Sequence, residues 1–514
     1  MMCAKKRGQN TGCGEVPTSH LGSNLFEGNP MNPNSRCPSS LRWIVAASVL
    51  LSFLSVESAL ADNPVPTVVG PPVPQAVVPG SGAFTLKVYG ANFVSGAVVN
   101  WNRNPRSTTF ISARELQAQI LASDVATAKA GYITVTNPPP GGGVSSSSFG
   151  LVEVHTPTTT IVAKRPHVYL RDRGSQHLVL GDYNNDGILD FAADYGFSEI
   201  KVLLGNGDGS FGHGSIVTHN YYGSGPAAIA SGDFNNDGNE DLAFGADPNG
   251  PPTQLQVSLG TGDGKFRLGS RSGHFDGYPF AAIAGDYNGD GKLDAIALQG
   301  SIYVFLGNGD GTFRRPLHDG KAGGYDLVSA DFNGDGILDL AMVGETQIEI
   351  ALGHGDGTFK VKTISIPQTF GCGFGPPILV TDFNADGKAD IAYCERDQNN
   401  GKLWILLGNG DGTFKKPVAI PIQNGICGFS FAAGDFNSDG KTDLVANYLV
   451  SDTQSEFALF LGNGDGTFQH NKLVQIGGGP HEGDLGIAPA DFNSDGLLDF
   501  IILDPGQFVV VTQK

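Results

Sequence analysis

A nine-residue pattern, D-x-N-x-D-G-x-x-D, places oxygen donors at positions 1, 3, 5 and 9 around a glycine at 6, and it occurs seven times. The copies run over 182–190, 233–241, 286–294, 331–339, 382–390, 435–443 and 491–499. The donors are Asp182, Asn184, Asp186 and Asp190, then Asp233, Asn235, Asp237 and Asp241, then Asp286, Asn288, Asp290 and Asp294. They continue as Asp331, Asn333, Asp335 and Asp339, then Asp382, Asn384, Asp386 and Asp390. Asp435, Asn437, Asp439 and Asp443, then Asp491, Asn493, Asp495 and Asp499, complete the set. Alternate positions of a tight loop can turn inward together, and the carbonyl of position 7 (Asn239 in the second copy) can add an oxygen. Calcium takes six to eight oxygens at about 2.3–2.6 Å. Oxygen-only donors argue against zinc or copper, and magnesium would use fewer protein ligands. The cofactor expected is Ca2+, up to seven ions.

Asx-turns without metal need one such residue each, not three carboxylates within reach of one point. Seven loops of three carboxylates hold 21, and seven divalent ions would bring the formal charge from −19 to −5. Without a cation each loop is a cluster of repelling charges, so the metal is expected to serve folding itself. A second motif, first seen as LGNGDGSF at 204–211, returns in related form at 259–266, 306–313, 352–359, 407–414 and 461–468. With one carboxylate each, these read as hairpin turns.

The acidic loops start 51, 53, 45, 51, 53 and 56 residues apart, a period that marks propeller blades or solenoid units. Each unit reads as four short strands. In the third they are AAIAG (281–285), DAIAL (294–298), IYVFLG (302–307) and a strand after the phenylalanine. Helix-period segments are absent, and four-stranded units repeated seven times make an all-β, seven-bladed propeller. The last unit stops after FVVVTQ (508–513), and TIVAKRPHVYL (160–170) can supply its missing strand. One N-terminal strand beside three C-terminal ones would leave no open edge.

These units resemble the FG-GAP/VCBS repeats of integrin α-chain propellers and of many secreted bacterial proteins, over roughly residues 160–514. The resemblance implies a calcium-holding nine-residue loop and a seven-bladed propeller. The integrin Gly-Ala-Pro signature is not seen, so integrin-type ligand chemistry is not implied. Upstream, GANF, VNW and ITVTNP carry a similarity to immunoglobulin-like IPT/TIG domains, with alternating strands between Gly/Asn/Pro turns. The expected organisation is an extension and signal over 1–61, a Pro-rich linker 62–79, an Ig-like sandwich 80–154, a linker 155–160 and the propeller 161–514.

The apolar run Trp43–Val56 is shorter than the ~20 residues of a membrane span. Arg36 and Arg42 precede it and Ala59-Leu60-Ala61 follows, which reads as a secretory signal cleaved after Ala61; an uncleaved anchor is the alternative. Met31 would begin a signal of ordinary proportions. The mature chain is thus expected to be secreted or cell-surface, without a membrane span. Of six cysteines, Cys372, Cys394 and Cys427 lie beyond the cleavage point, and Cys372 and Cys427 occupy similar places in successive repeats as a candidate disulfide. An excess of 51 acidic over 32 basic residues argues against a nucleic-acid partner.

Strand parity puts all acidic loops on one face and the unit-to-unit connections on the other. Those connections vary, and variable loops on a rigid scaffold are where recognition is usually found. The ligand-face candidates are Tyr221, Tyr222, Phe275, Tyr278, Tyr325, Phe374 and His481. No zincin motif, nucleophile elbow or P-loop occurs. The function expected is a calcium-binding adhesion module for an extracellular glycan or protein. The alternatives are a polysaccharide lyase or hydrolase working on the same face, where His274, His318 and His481 lie, and a scaffold that only spaces other parts.

Overall fold

Alternation of apolar and polar residues shapes the N-terminal part. In Phe84–Ala91, Leu86 and Val88 point inward while Thr85 and Lys87 are exposed, the period-two pattern of a half-buried strand. Thr67–Val68, Phe84–Ala91, Glu115–Ile120 and Thr108–Ser112 form one sheet in that order. Ala76–Val77, Leu151–Val154, Lys129–Asn137, Val98–Trp101 and Asn104–Pro105 form the other, with Gly143–Val144 paired to Lys129–Asn137. The two sheets share one core in which Leu86, Val88, Leu116, Trp101, Ile133 and Val152 meet. The computed structural model describes residues 61–513 except 146–149, 159–166, 172–176, 196–198, 213, 218–226, 247–252, 276–278, 319–322, 367–376, 396–401, 422–425, 452–453, 470–471, 475–485 and 505–506.

Segment 62–79, expected to be a linker, belongs to this sandwich. Thr67–Val68 pairs antiparallel with Gly90–Ala91, and Ala76–Val77 pairs parallel with Glu153–Val154. Val65 and Val68 are buried. Proline cannot donate a ladder hydrogen bond but is tolerated at strand ends and edges, which is why a Pro-rich stretch could still add two short strands.

Beyond the sandwich, seven small antiparallel sheets follow one another among the described residues. The third, Ala281–Gly285, Asp294–Leu298, Ile302–Phe305 and Leu317–His318, is typical: neighbours in sequence are neighbours in the sheet. The last sheet holds Ile487–Ala490, Asp499–Asp504 and Gln507–Val511, and its outer strand is His167–Arg171 from upstream of the first unit. Val168 stands opposite Val509, and Tyr169 opposite Phe508. No helix occurs among the described residues, and so none is long and apolar enough to cross a membrane.

The first strands of successive sheets pack side by side, and the seventh, Ile487–Ala490, also packs against the first, Leu178–Gly181. Alanine, glycine and serine in these strands allow the close approach. Together with sandwich residues they line a cavity of about 500 Å³. Between sheets, the aromatic at position 2 of each of the first five acidic loops meets the phenylalanine that ends the next unit's glycine-rich turn. Tyr183–Phe266, Phe234–Phe313, Tyr287–Phe359, Phe332–Phe414 and Phe383–Phe468 have ring centroids 5.7, 5.5, 6.1, 6.0 and 5.8 Å apart. Such tilted pairs add to the energy of simple burial.

Candidate functional site

Each acidic loop is first held by its own backbone. In the first, Asp182 accepts the N–H groups of Asp186 and Gly187 (3.1 and 2.8 Å), and Asn184 Oδ1 accepts that of Asp186 (3.0 Å). The turn needs left-handed backbone at positions 4 and 6, here Asn185 (φ 61°) and Gly187 (φ 86°). Glycine takes that conformation freely, and asparagine tolerates it better than most residues.

The ninth-position aspartate has a structural role that the motif alone did not reveal. Asp390, fully buried, accepts the Phe383 N–H at 2.9 Å and the Gly408 N–H at 2.7 Å. Asp190, Asp241, Asp294 and Asp339 do the same with their own units' residues. One carboxylate thereby fixes the start of the loop to the end of the third strand. Burial pushes these acids up, Asp390 to about 7 and Asp294 to about 8, with neighbouring loop aspartates adding to the rise.

Among the described residues no three His, Cys, Asp or Glu side chains form a ready-made metal cage. The donors still suit a hard cation, being oxygen throughout. Two buried carboxylate oxygens in these loops, Asp290 Oδ1 and Asp443 Oδ2, have no hydrogen-bond partner. Position 5 residues such as Asp186, Asp237 and Asp386 are exposed.

The sandwich sits on this acidic face. Arg103 pairs with Asp182, and Arg114 Nε lies 2.9 Å from Asp331 while its Nη2 donates to the Gly387 carbonyl (3.2 Å). The Val65 N–H donates to Asp286 Oδ2 (2.9 Å), Asn92 N–H to the Gly336 carbonyl (2.8 Å), and the Tyr132 hydroxyl to the Asp491 carbonyl (2.8 Å). The Thr158 N–H donates to the Asn437 carbonyl (2.9 Å), so the segment expected to be a linker at 155–160 is tied down at its described end. No hydrogen bond or ion pair among the described residues joins the sandwich to the second loop, where Asp237 is exposed.

At the opposite ends of the first strands, His177 precedes Leu178–Gly181, Phe280 precedes Ala281–Gly285, and Asp326 begins Asp326–Ala330. His177 Nδ1 is 3.3 Å from Asp194 Oδ2, and its Nε2 is 3.2 Å from the Phe280 carbonyl oxygen. Burial alone would lower the imidazole's basicity, but the Asp194 hydrogen bond and charge outweigh it and raise the net value above 6.5. Burial raises Asp326 to about 6. The Tyr325 hydroxyl donates to Glu345 Oε1 (3.0 Å), and its ring lies 6.0 Å from that of Phe280, which is 39% exposed.

A family model described as FG-GAP-like repeat matches in overlapping stretches, 182–244, 233–297, 295–342, 331–393, 382–446 and 447–502. This chain belongs to the FG-GAP-like repeat family. The chain is also similar to Integrin alpha-PS5 of Drosophila melanogaster, 31% identical over 109 residues. That match covers 19% of this chain and 11% of the integrin. Among solved structures, an Agrocybe aegerita lectin that recognises non-reducing terminal N-acetylglucosamine aligns with a TM-score of 0.43 at 16% identity, over 80% of this chain and all of its own. The BP39L lectin of Burkholderia pseudomallei aligns at 0.46 and 16% identity over 67% of this chain and 99% of its own. A rhamnogalacturonan lyase aligns at 0.40 and 12% identity over 88% and 90%. All three scores are too low to say anything of a ligand.

Of the ligand-face candidates on the FG-GAP-like repeats, Tyr325 is placed at the cluster just described. Tyr221, Tyr222, Tyr278, Phe374 and His481 lie outside the described residues. Phe275 ends the strand Phe266–Phe275, and the backbone of 272–275, expected to be a connection, extends that strand. The side chains of His274 and His318 are likewise outside the description. Cys394, which the expected Cys372–Cys427 pairing left out, is disulfide-bonded; Cys372 and the Cys427 side chain fall outside the described residues. His177, Asp194, Asp326 and Glu345 were missed because they lie in or beside different strands, far apart in sequence, and form no motif. Trp404 was missed too: its Nε1 donates to Glu395 Oε2 (2.6 Å), and its ring lies 5.8 Å from Lys402 Nζ.

Proposed function

We propose that this chain is a secreted or cell-surface binding module: a calcium-stabilised propeller of seven blades, closed by its N-terminal strand, behind an Ig-like sandwich of the IPT/TIG kind. Its ligand is an extracellular glycan, held on the face away from the acidic loops. One observation carries the reading. The sandwich occupies the acidic face, while the far ends of the first strands present Phe280 and Tyr325 beside Glu345 and Asp326. Aromatic rings stack on the apolar faces of sugar rings, and carboxylates accept hydrogen bonds from sugar hydroxyls. The seven-blade count is supported by the seven sheets, and closure by the pairing of His167–Arg171 with Gln507–Val511.

The polysaccharide lyase or hydrolase reading has one observation in its favour: His177 is oriented by Asp194, as a general base often is. Its second nitrogen faces the Phe280 carbonyl oxygen, which only accepts, so that nitrogen carries a hydrogen and is not free to take a substrate proton.

A glycan array probed with the full chain tests the choice. Binding lost in Tyr325→Ala and Phe280→Ala but kept in the loop variant Asp237→Asn supports the far-face site. Binding only to proteins would turn the ligand class toward a protein partner. Polymer shortening in the same samples would favour the enzyme.

A further inference from the structure

Glu153 is a buried acid that the repeat pattern does not account for. It lies in the sandwich strand Leu151–Val154, is 1% exposed, and lines the cavity bounded by the first strands. Its Oε2 accepts the hydroxyl hydrogen of Ser438, position 4 of the sixth acidic loop, while its Oε1 has no partner. The same loop holds a second such atom, Asp443 Oδ2. Of all the acidic loops, this one receives a carboxylate from the sandwich where the first and fourth receive arginines, Arg103 on Asp182 and Arg114 on Asp331. The groups whose charge most affects Glu153 are Asp435, Asp443 and Asp491, all acidic.

A buried carboxyl among carboxylates must either hold its proton, as burial favours at Glu153, or be given a compensating cation. At the first and fourth loops the chain's own guanidinium supplies it. At the sixth, the unpartnered oxygens are hard donors on two separate elements facing one loop, which is what a divalent ion with many oxygen ligands can join. We propose that Glu153 is a calcium ligand of the sixth loop, acting with Asp435, Asn437, Asp439 and Asp443, so that a single ion ties the sandwich to the propeller. The proposal rests on the reading of the loops as calcium sites.

Two amides report on this junction: Thr158 N–H, bonded to the Asn437 carbonyl of the loop, and Glu153 N–H, bonded to the Gln75 carbonyl. In equilibrium dialysis of the full chain against graded free calcium, Glu153→Gln should weaken one site by at least about tenfold and leave the others unchanged, in line with the 10–100-fold losses seen when groups supporting a metal are removed. Asp237→Asn should weaken the uncovered second loop instead and leave exchange of the Thr158 amide as in the parent. On the parent chain, EGTA should speed hydrogen exchange at Thr158 and Glu153 by at least about tenfold, while Leu86 and Val88 in the sandwich core stay protected. That second measurement stands even where Glu153→Gln does not fold.

A parent chain that binds calcium, with Glu153→Gln matching it in stoichiometry and affinity, overturns the proposal and leaves the calcium reading intact. So does unchanged Thr158 exchange after the calcium has been stripped. A parent chain that binds no calcium overturns both.

Discussion

The Gly209 N–H donates to the Phe492 carbonyl oxygen at 2.8 Å, joining the first repeat to the seventh across 283 residues of chain. The same bond recurs between neighbours, from Gly264 to Tyr183, Gly311 to Phe234, Gly357 to Tyr287 and Gly412 to Phe332. A glycine-rich turn that reads as a simple hairpin is therefore also a clasp on the acidic loop of the unit before it. The ring of Phe211, two residues on, packs 5.6 Å from that of Phe492.

This clasp predicts where the repeat array is weakest. Phe492→Ala removes a nearly buried ring from the junction of the first and last units and should cost about 3–5 kcal/mol. Denaturant unfolding of the full chain measures it. A loss under 1 kcal/mol would mean that the junction is not under cooperative load.

Position 9 and position 5 of a loop should behave differently. Asp390→Ala strands two buried backbone N–H groups, at about 1–3 kcal/mol each, and should destabilise the protein with or without calcium. Asp386, exposed, should matter only when calcium is present. Melting curves of both variants in calcium and in EGTA separate a backbone strut from a metal ligand; equal behaviour would remove the distinction.

Calcium removal should lower stability more than any single surface change. A site held at a hundred times its dissociation constant adds about 2.7 kcal/mol, and among the described residues the sandwich arginines form ion pairs with only the first and fourth loops. Calorimetry in EGTA should show a lower transition temperature, restored by added calcium. An unchanged transition would mean that the loops' own amides suffice.

His177 sets a pH dependence at the far face. Burial opposes its protonation, but the Asp194 hydrogen bond and charge raise its folded-state basicity above the ordinary histidine value of 6.5. Its stabilising contribution is thus complete below pH 6.5 and is lost as the pH climbs through the raised folded value. Between pH 6 and pH 8 the parent should lose stability relative to His177→Gln, read from urea midpoints at each pH. Parallel pH curves for the two proteins would show that the Asp194 pairing contributes nothing.

Much of this architecture is local and was legible without coordinates. The acidic loop, the glycine at its sixth position and the short strands around it are specified within nine or ten residues, because turn geometry and period-two burial act over that range. Even the pairing of an upstream strand with Gln507–Val511 follows from counting strands in the last unit. What stayed hidden are contacts between segments distant in sequence. The Pro-rich stretch gains its strands only from Gly90–Ala91 and Glu153–Val154. Arg103, Arg114 and Glu153 look like ordinary sandwich residues until packing sets them on three different acidic loops. The burial that raises the ninth-position aspartates, and the meeting of His177 with Asp194 and Phe280, likewise exist only after the chain has folded. Desolvation and charge pairing depend on the three-dimensional neighbourhood, and no spacing in the sequence encodes that.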